Sequence, residues 1–467
     1  MNMSFVFNDS QQLSLFDKLA FLSPRMKKML DASWAKAFSD HIFSKIDESI
    51  FIPLYSQNSN SRPNAPVNVL VGALMLKEFN GLTDEEITAS CCFDFRYQYA
   101  LHTTSFEEEP VSTRTLSRFR TRLASYKLTT GTDLVHECFV KMADDIREYM
   151  DISPSIKRMD SMMVESNIRK MGRLELLYTC LSNLVKELHN DGREELLKGL
   201  EHYKDPNDRN KVIYHDSGTP QSDRLQKVIE DAVGLLPKCA EDYSDTTDYQ
   251  LLERAINEQT KDDGNGKTVP KQKGDGMDSS SLQNPADPDA TYRIKAGREH
   301  RGYAANITET VDENGSVVTD YQYDENTHSD TAFLHEAIES SEISEETTAF
   351  IADGAYAGKE LQEEAAGKNI GIRTAVVMFS LNSLHHTQEV EAHKKNPLTA
   401  TIGRIRNGIE TIPSILRRKY HVDHMPVRGK SKTEICFGFK MLALNFTKLW
   451  LHDRHLQRSR AFEPVNG

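Results

Sequence analysis

The chain has 467 residues, too many for one ordinary domain and enough for about three. Its 38% hydrophobic and 27% charged content excludes a protein that is disordered or membrane-embedded as a whole. With 57 basic against 70 acidic side chains the net charge is −13, which argues against a protein that simply coats nucleic acid. Six scattered cysteines without a CxxC pair predict a reducing, cytoplasmic setting, and the opening MNMSFVFNDS lacks the basic region and long apolar core of a secretory signal.

The charge is unevenly spread. His393 to Gly467 holds 15 Lys/Arg against 5 Asp/Glu, Val111 to Thr130 holds five basic residues and no acid, and Ile307 to Ala366 sets 16 acids against Lys359 alone. Two basic segments in an acidic chain predict localised anion binding.

In chain order, residues 1–60 read as mixed helix and loop, with the polar run Ser56 to Pro66 as a linker. Residues 61–150 read as an all-helical domain. An apolar helix from Pro66 to Phe79 stops at Asn80-Gly81, and a second runs from Leu82 to Leu101 with Thr83 as N-cap and Glu86 three residues on. Cys91 and Cys92 fall within it and read as core. Ser112 opens a third helix. Leu116, Phe119 and Leu123 form its apolar stripe, while Arg114, Arg118 and Arg122 form a separate outward ridge suited to phosphate contact and groove entry.

From Pro154 the pattern changes to strand. Ile156, Asp160, Met162 and Val164 share a parity that Arg158 interrupts. Residues 170–260 read as a helical insertion after this first strand, and the Gly-, Ser- and Asp-rich residues 261–285 as a flexible linker. Arg301 to Asp324 forms a hairpin about Asp312-Glu313-Asn314-Gly315. A helix (Thr327 to Ser341), a short buried strand ending at Asp353, a helix (Lys359 to Asn369), a strand (Ile372 to Phe379) and a helix (Thr399 to Tyr420) follow. There is no internal repeat. The order predicts an α/β core around one mixed sheet, built from residues 151–169 and 286–420, rather than an all-parallel dinucleotide fold. Residues 421–467 read as a basic C-terminal helical tail.

Three acids stand out by position. Asp160 lies within the first core strand, Asp353 ends a later one, and Glu410 sits on the last helix between Arg406 and Arg417. Ends of central strands are where active-site groups of α/β sheets gather. By spacing alone each has an ordinary reading: Asp353 precedes Gly354 as a turn residue would, and Arg406–Glu410 is an i,i+4 pair worth about 0.2–0.5 kcal/mol.

Taken together, the motifs carry a resemblance. RMDSMMVESN around Asp160, FIADGAYAG around Asp353, and R-x3-E-x6-R at Arg406, Glu410 and Arg417 resemble the acidic motifs of DDE-type insertion-sequence transposases, the last being similar to the signature Y-x2-R-x3-E-x6-K. PVSTRTLSRFRTRL and the preceding helices resemble that family's N-terminal DNA-binding region, and PVRGKSKTEICFGFKMLALNFTKL its C-terminal segment. The resemblance implies an RNase H-like core in which Asp160, Asp353 and Glu410 are catalytic and hold two Mg²⁺ ions, with Mn²⁺ as a substitute. Small all-carboxylate sets suit such hard cations, one ion activating water or a 3′-hydroxyl and the other stabilising the leaving oxygen. Arg406 and Arg417 would hold phosphates through their planar donor forks, with Arg418, Lys419, Arg428 and Lys430 adding to the DNA-binding surface.

The implied function is a bacterial, nucleoid-associated transposase: an endonuclease and strand transferase of a mobile element. Its partners would be terminal inverted repeats, target DNA and a second copy in the synaptic complex, with no membrane. Two alternatives stay open, a non-catalytic or domesticated DNA-binding relative and an RNase H-like nuclease. The sequence departs from the family pattern at Gly403, where Tyr is expected, at Arg417, where Lys is usual, and at Pro413, which predicts a kink after Glu410. Asp287, Asp289, Asp312, Glu313 and Asp330 read as turn and linker acids, and His385-His386 lacks the spaced partners of a metal site.

Overall fold

Start and stop signals govern the helices of the first 150 residues. The structure, a computed structural model, describes residues 5–8, 17–56, 63–105, 111–215, 218–272, 274–276, 278–295, 297–341, 348–352, 359–368, 370–374 and 397–462. Ser23 caps α1 (Pro24–Asp31) and Ser33 caps α2 (Trp34–His41). In α3 (Val67–Asn80) every residue from Val67 to Leu76 is buried, and the helix ends at Gly81, whose φ of 67° glycine adopts without strain.

The second apolar helix is divided. Thr83 and Glu86 form the expected capping box on α4 (Asp84–Phe93), but Asp94 is extended and its carboxylate caps a separate α5 (Phe95–Ala100). An aspartate inside a helix-forming run offers the next N–H groups a competing partner, and here it wins. α6 (Thr113–Thr130) opens on Ser112, and α7 (Leu134–Tyr149) on Asp133.

β1 (Ile156–Glu165) begins the sheet. The helical excursion follows as α8 (Arg173–Asn190), α9 (Pro206–Asn210), α10 (Gln221–Tyr243) and α11 (Thr247–Gln259), with its own apolar core around Leu177, Leu181, Ile229 and Leu252. The next segment corrects the linker expectation for 261–285. β2 (Thr260–Asp262) pairs with β3 (Thr268–Pro270), and Leu282 and Asn284 are buried. The Asn284 carboxamide donates to the Arg169 carbonyl at 2.9 Å. Just beyond, Asp287 stands in a turn, as expected, but is fully buried and accepts from the Tyr303 hydroxyl at 2.6 Å and from Ser166. Polar composition here serves specific hydrogen bonds rather than disorder.

β4 (Thr291–Lys295), β5 (Arg298–Val311), β6 (Ser316–Glu325), α12 (Asp330–Ser340), β7 (Thr348–Ala352), α13 (Lys359–Gly367) and β8 (Ile370–Thr374) complete the core. The strand order is β4-β5-β1-β7-β8, with β6 also paired to β5. β1 runs antiparallel to β5 and parallel to β7, which is parallel to β8. The architecture is mixed α/β and RNase H-like, with helices beside the sheet and a helical N-terminal region, as the sequence implied.

α14 (Pro397–Ile409), α15 (Thr411–Arg418) and α16 (Lys430–Phe462) end the described chain. The helix expected in residues 421–467 is present as α16, and its apolar side is buried. Phe437, Met441, Leu444, Phe446 and Leu449 are buried in one core with Leu70 and Leu74 of α3 and Val317 and Tyr321 of β6. The helix therefore joins the N-terminal helices to the sheet. Lys440 pairs with Glu78 at 2.5 Å, both side chains largely buried. The Asn445 carboxamide accepts from the Val318 N–H at 3.0 Å and donates to its carbonyl at 2.7 Å, where the β5–β6 register shifts. Its amide thus completes a backbone pairing that the irregular strand leaves open.

Candidate catalytic site and DNA-facing surface

Alternation along β1 decides which way Asp160 faces. Met159 packs with Leu334, Ala337 and Phe350, and Met163 with Ala304 and Phe333. Met162 and Val164 belong instead to the core that includes Ile409, Ile412 and Leu416 of the last helices. Asp160 shares their parity and so lies on the α14–α15 face. It is partly buried, and its Oδ1 accepts the Ser161 N–H at 2.9 Å.

Glu410 stands at the break between α14 and α15. The break is where Pro413 is accommodated: it occupies the first turn of α15, where a missing N–H forfeits no intrahelical bond. Glu410 itself keeps helical dihedrals (φ −61°, ψ −17°), so the interruption expected from the proline is confined to this one residue. The Glu410 side chain is 54% exposed although Ile409 and Ile412 on either side are buried. Its Oε1 accepts from Arg406 Nη1 at 2.7 Å. Gly403 is not demanded by packing, since a Cβ there would meet nothing within 4 Å.

Two contacts hold this helix pair to β1, one before Glu410 and one after it. Arg158 Nη1 donates to the Ile405 carbonyl at 2.8 Å, and Arg417 Nη2 donates to the Met163 carbonyl at 3.4 Å. Asp160 lies between the two strand anchors and Glu410 between the two helix anchors, so the two acids sit on elements joined at one junction. Asp353, the third candidate, lies outside the described residues, as do His385 and His386. The last described pair of the β1–β7 ladder is Arg158 opposite Ile351. Among the described residues there is no group of three acids, histidines or cysteines that would hold a metal. Asp160 and Glu410 nevertheless fit a divalent cation: both offer hard carboxylate oxygens, one fixed on a strand and one exposed at a helix break.

The outward ridge of α6 is as the helical spacing predicts. Arg114, Arg118 and Arg122 are exposed, opposite the buried Leu116, Phe119 and Leu123, and the Arg122 guanidinium lies over the Tyr55 ring at 5.0 Å. The other basic residues of that segment turn inward. Arg120 pairs with Asp84, and Lys127 with Asp133 at 3.0 Å and Glu434 at 2.5 Å.

The C-terminal basic residues divide similarly. Arg418 is exposed, and Arg417 is 41% exposed beside Asp423 at 3.3 Å. Lys419 turns its ammonium onto the Phe79 ring at 4.6 Å, and burial lowers its pKa. Arg428 donates to the Asn167 carbonyl at 2.6 Å, and Lys430 pairs with Asp324 at 2.5 Å.

Sequence reasoning missed the groups that hold the site together. Glu309 on β5 is fully buried between Arg158 and Lys448. Burial pushes its carboxyl pKa up, but Lys448 and Arg158 outweigh burial and hold it below the ordinary value. The one signal available was Arg158 itself, a charge in an apolar strand position.

Residues 28–122 match the family described as Transposase domain (DUF772), and residues 266–446 match the family described as Transposase DDE domain. No curated protein and no solved structure matches the chain. Among the described residues no helix is long and apolar enough to cross a membrane. The two matches take in the α6 ridge, strands β4 to β8 and the Glu410 helices, while β1 with Asp160 lies between them, and DNA is the partner that transposase domains imply. The chain therefore carries a transposase domain in its N-terminal part and a DDE transposase domain in its C-terminal part, as a DDE-type insertion-sequence transposase does.

Proposed function

We propose that the protein binds the terminal inverted repeats of its element, cleaves DNA strands beside them and joins the freed ends to target DNA. The supporting observation is the junction of β1 with the α14–α15 break, where arginine contacts tie the strand that carries Asp160 to the helices on either side of Glu410. Asp353 is the third acid of this reading. It follows β7 directly in the chain, two residues beyond Ile351, as Asp160 lies two beyond Arg158.

Two Mg²⁺ ions, with Mn²⁺ as substitute, would supply activation of the attacking water or 3′-hydroxyl and stabilisation of the leaving oxygen. The chain's own residues supply the rest. Asp160, Asp353 and Glu410 present carboxylate oxygens as ligands. Arg406 and Arg417 hold phosphate oxygens in line, Arg406 giving up its bond to Glu410 as the substrate arrives. Arg114, Arg118 and Arg122 grip the end DNA, with Arg418 and Arg428 extending that contact and Lys419 and Lys430 joining it once they leave Phe79 and Asp324. Two copies in the synaptic complex would bring both element ends together.

Incubation of the purified protein with end-containing DNA and Mg²⁺ should yield nicks and joined products. The Asp353→Ala variant should bind the same DNA and leave it intact. Mg²⁺-dependent cleavage by that variant would overturn the reading, and absence of nicks with tight end binding by the parent protein would favour a non-catalytic DNA-binding role.

Replacement of Arg114, Arg118 and Arg122 together by Gln should weaken end binding and flatten its salt dependence. Each lost phosphate contact removes about 0.9 from the slope of log K against log salt, so three remove about 2.7. An unchanged slope would take α6 out of the DNA interface.

A further inference from the structure

Arg158 breaks the apolar pattern of β1, yet it is only 9% exposed. A guanidinium removed from water is costly unless its donors are met. Here they are met in two directions. Nε and Nη2 both approach Glu309 Oε2 at 2.6 Å, while Nη1 donates to the Ile405 carbonyl at 2.8 Å. The other Glu309 oxygen takes the ammonium of Lys448 from α16, which also donates to the Ser316 hydroxyl at 2.9 Å. One anion thus serves two cations, and the donor that Glu309 does not occupy reaches across to a helix.

The helix comes unusually close. A Cβ on Gly408 would lie 1.9 Å from Arg158 Nη1 and 2.7 Å from Cζ, so the bare backbone of α14 rests on the guanidinium. The Ile405 bond and the Gly408 contact, both made by Nη1, place the Arg158 guanidinium between β1 and α14 as a spacer. Buried ion clusters rarely add stability over apolar packing, so stability alone does not account for this one. Its position does. Arg158 precedes Asp160 by two residues on the same strand face, and Ile405 and Gly408 precede Glu410 on α14.

We propose that Arg158 is a positioning residue for the candidate catalytic acids: its guanidinium fixes the separation of β1 and α14, and with it that of Asp160 and Glu410. The inference rests on the reading of those acids as metal-holding. The strand is braced on both sides by β5 and β7. The helix is interrupted at Glu410, so the spacing depends on what grips α14. A planar guanidinium carries donors on separate nitrogens, so it meets Glu309 on one edge and Ile405 on the other, a fixed span that the single nitrogen of an ammonium does not provide.

The test compares Arg158→Met with Lys448→Met in the full chain. Each removes one cation and leaves Glu309 with one buried partner, so each lowers the melting temperature similarly. Only Arg158→Met cuts the link to α14. Titration with Mn²⁺ alone, read as the rise in melting temperature that ligand binding produces, should show a midpoint raised about tenfold or more in Arg158→Met. The midpoint in Lys448→Met should stay within about twofold of the parent. The Mg²⁺ concentration for half-maximal nicking should follow the same order, with end-DNA binding unchanged. Arg158→Lys, which restores charge without the Ile405 bond, should remain shifted and serves if the Met variant does not fold. Equal shifts in Arg158→Met and Lys448→Met, or none in Arg158→Met, would overturn the proposal. A Mn²⁺ response untouched by Glu410→Gln would instead overturn the reading of the site on which it rests.

Discussion

Glu410→Gln is expected to lower nicking of element-end DNA roughly 10³-fold, since a metal-held oxygen supplies several kcal/mol of charge stabilisation and about 1.4 kcal/mol is a factor of ten. Folding should barely change. The side chain is 54% exposed, and its carboxamide oxygen can still accept the Arg406 hydrogen bond now made at 2.7 Å. The exposed i,i+4 ion pair contributes only about 0.2–0.5 kcal/mol, so the melting temperature should stay within a degree or two. Asp160→Asn is the companion case, because asparagine retains the acceptor for the Ser161 N–H at 2.9 Å. Gel assays of nicking, paired with end-binding isotherms, decide the matter. Cleavage at the parent rate by Glu410→Gln would reduce Arg406–Glu410 to an ordinary surface pair.

Glu309→Ala should destabilise the fold by about 3–5 kcal/mol, the range for stranding a buried charge. The substitution leaves Arg158 and Lys448 in the interior without the carboxylate that joins them. Loss of either cation alone should cost less, because a neutral buried pair remains. Urea unfolding followed by a shift of the midpoint would measure the difference, and a midpoint within error of the parent would show that water reaches the cluster. The pH dependence has a definite sign. The folded-state pKa of Glu309 lies below its ordinary value of about 4.5, so its contribution is complete above that value. That contribution is lost as pH falls through the folded-state pKa. Acid should therefore narrow the gap between the parent protein and Glu309→Gln.

Much of the core was legible because it rests on local signals. Parity alone put Asp160 on one strand face, Asp312-Glu313-Asn314-Gly315 marked the hairpin, and the spacing of Arg114, Arg118 and Arg122 gave an exposed ridge. What composition concealed was long-range partnership. Asp287 reads as no more than a turn acid until Tyr303 is seen to donate to it, and the segment before it reads as linker until Asn284 is seen bonded to Arg169. The basic charge from His393 onward hid the apolar side of α16, whose lysines alternate with Phe437, Met441 and Leu444. Asp94 was a cap inside what looked like one helix. Arg158 was noticed as an interruption, but its meaning required Glu309 and Ile405, respectively 151 and 247 residues away.

The burial of α16 among the N-terminal helices also sets an order of events during synthesis. A ribosome completes α3 and α6 about 300 residues before it begins α16, a delay on the order of 15–60 s at roughly 5–20 residues per second. Until then Leu70 and Leu74 lack the covering that Phe446 and Leu449 provide. A message cut short before position 430 would therefore yield a chain with the arginine ridge but an open apolar face, a substrate for chaperones and proteases. The same helix that closes the core thus makes completion of the N-terminal helical region wait on the last part of the chain.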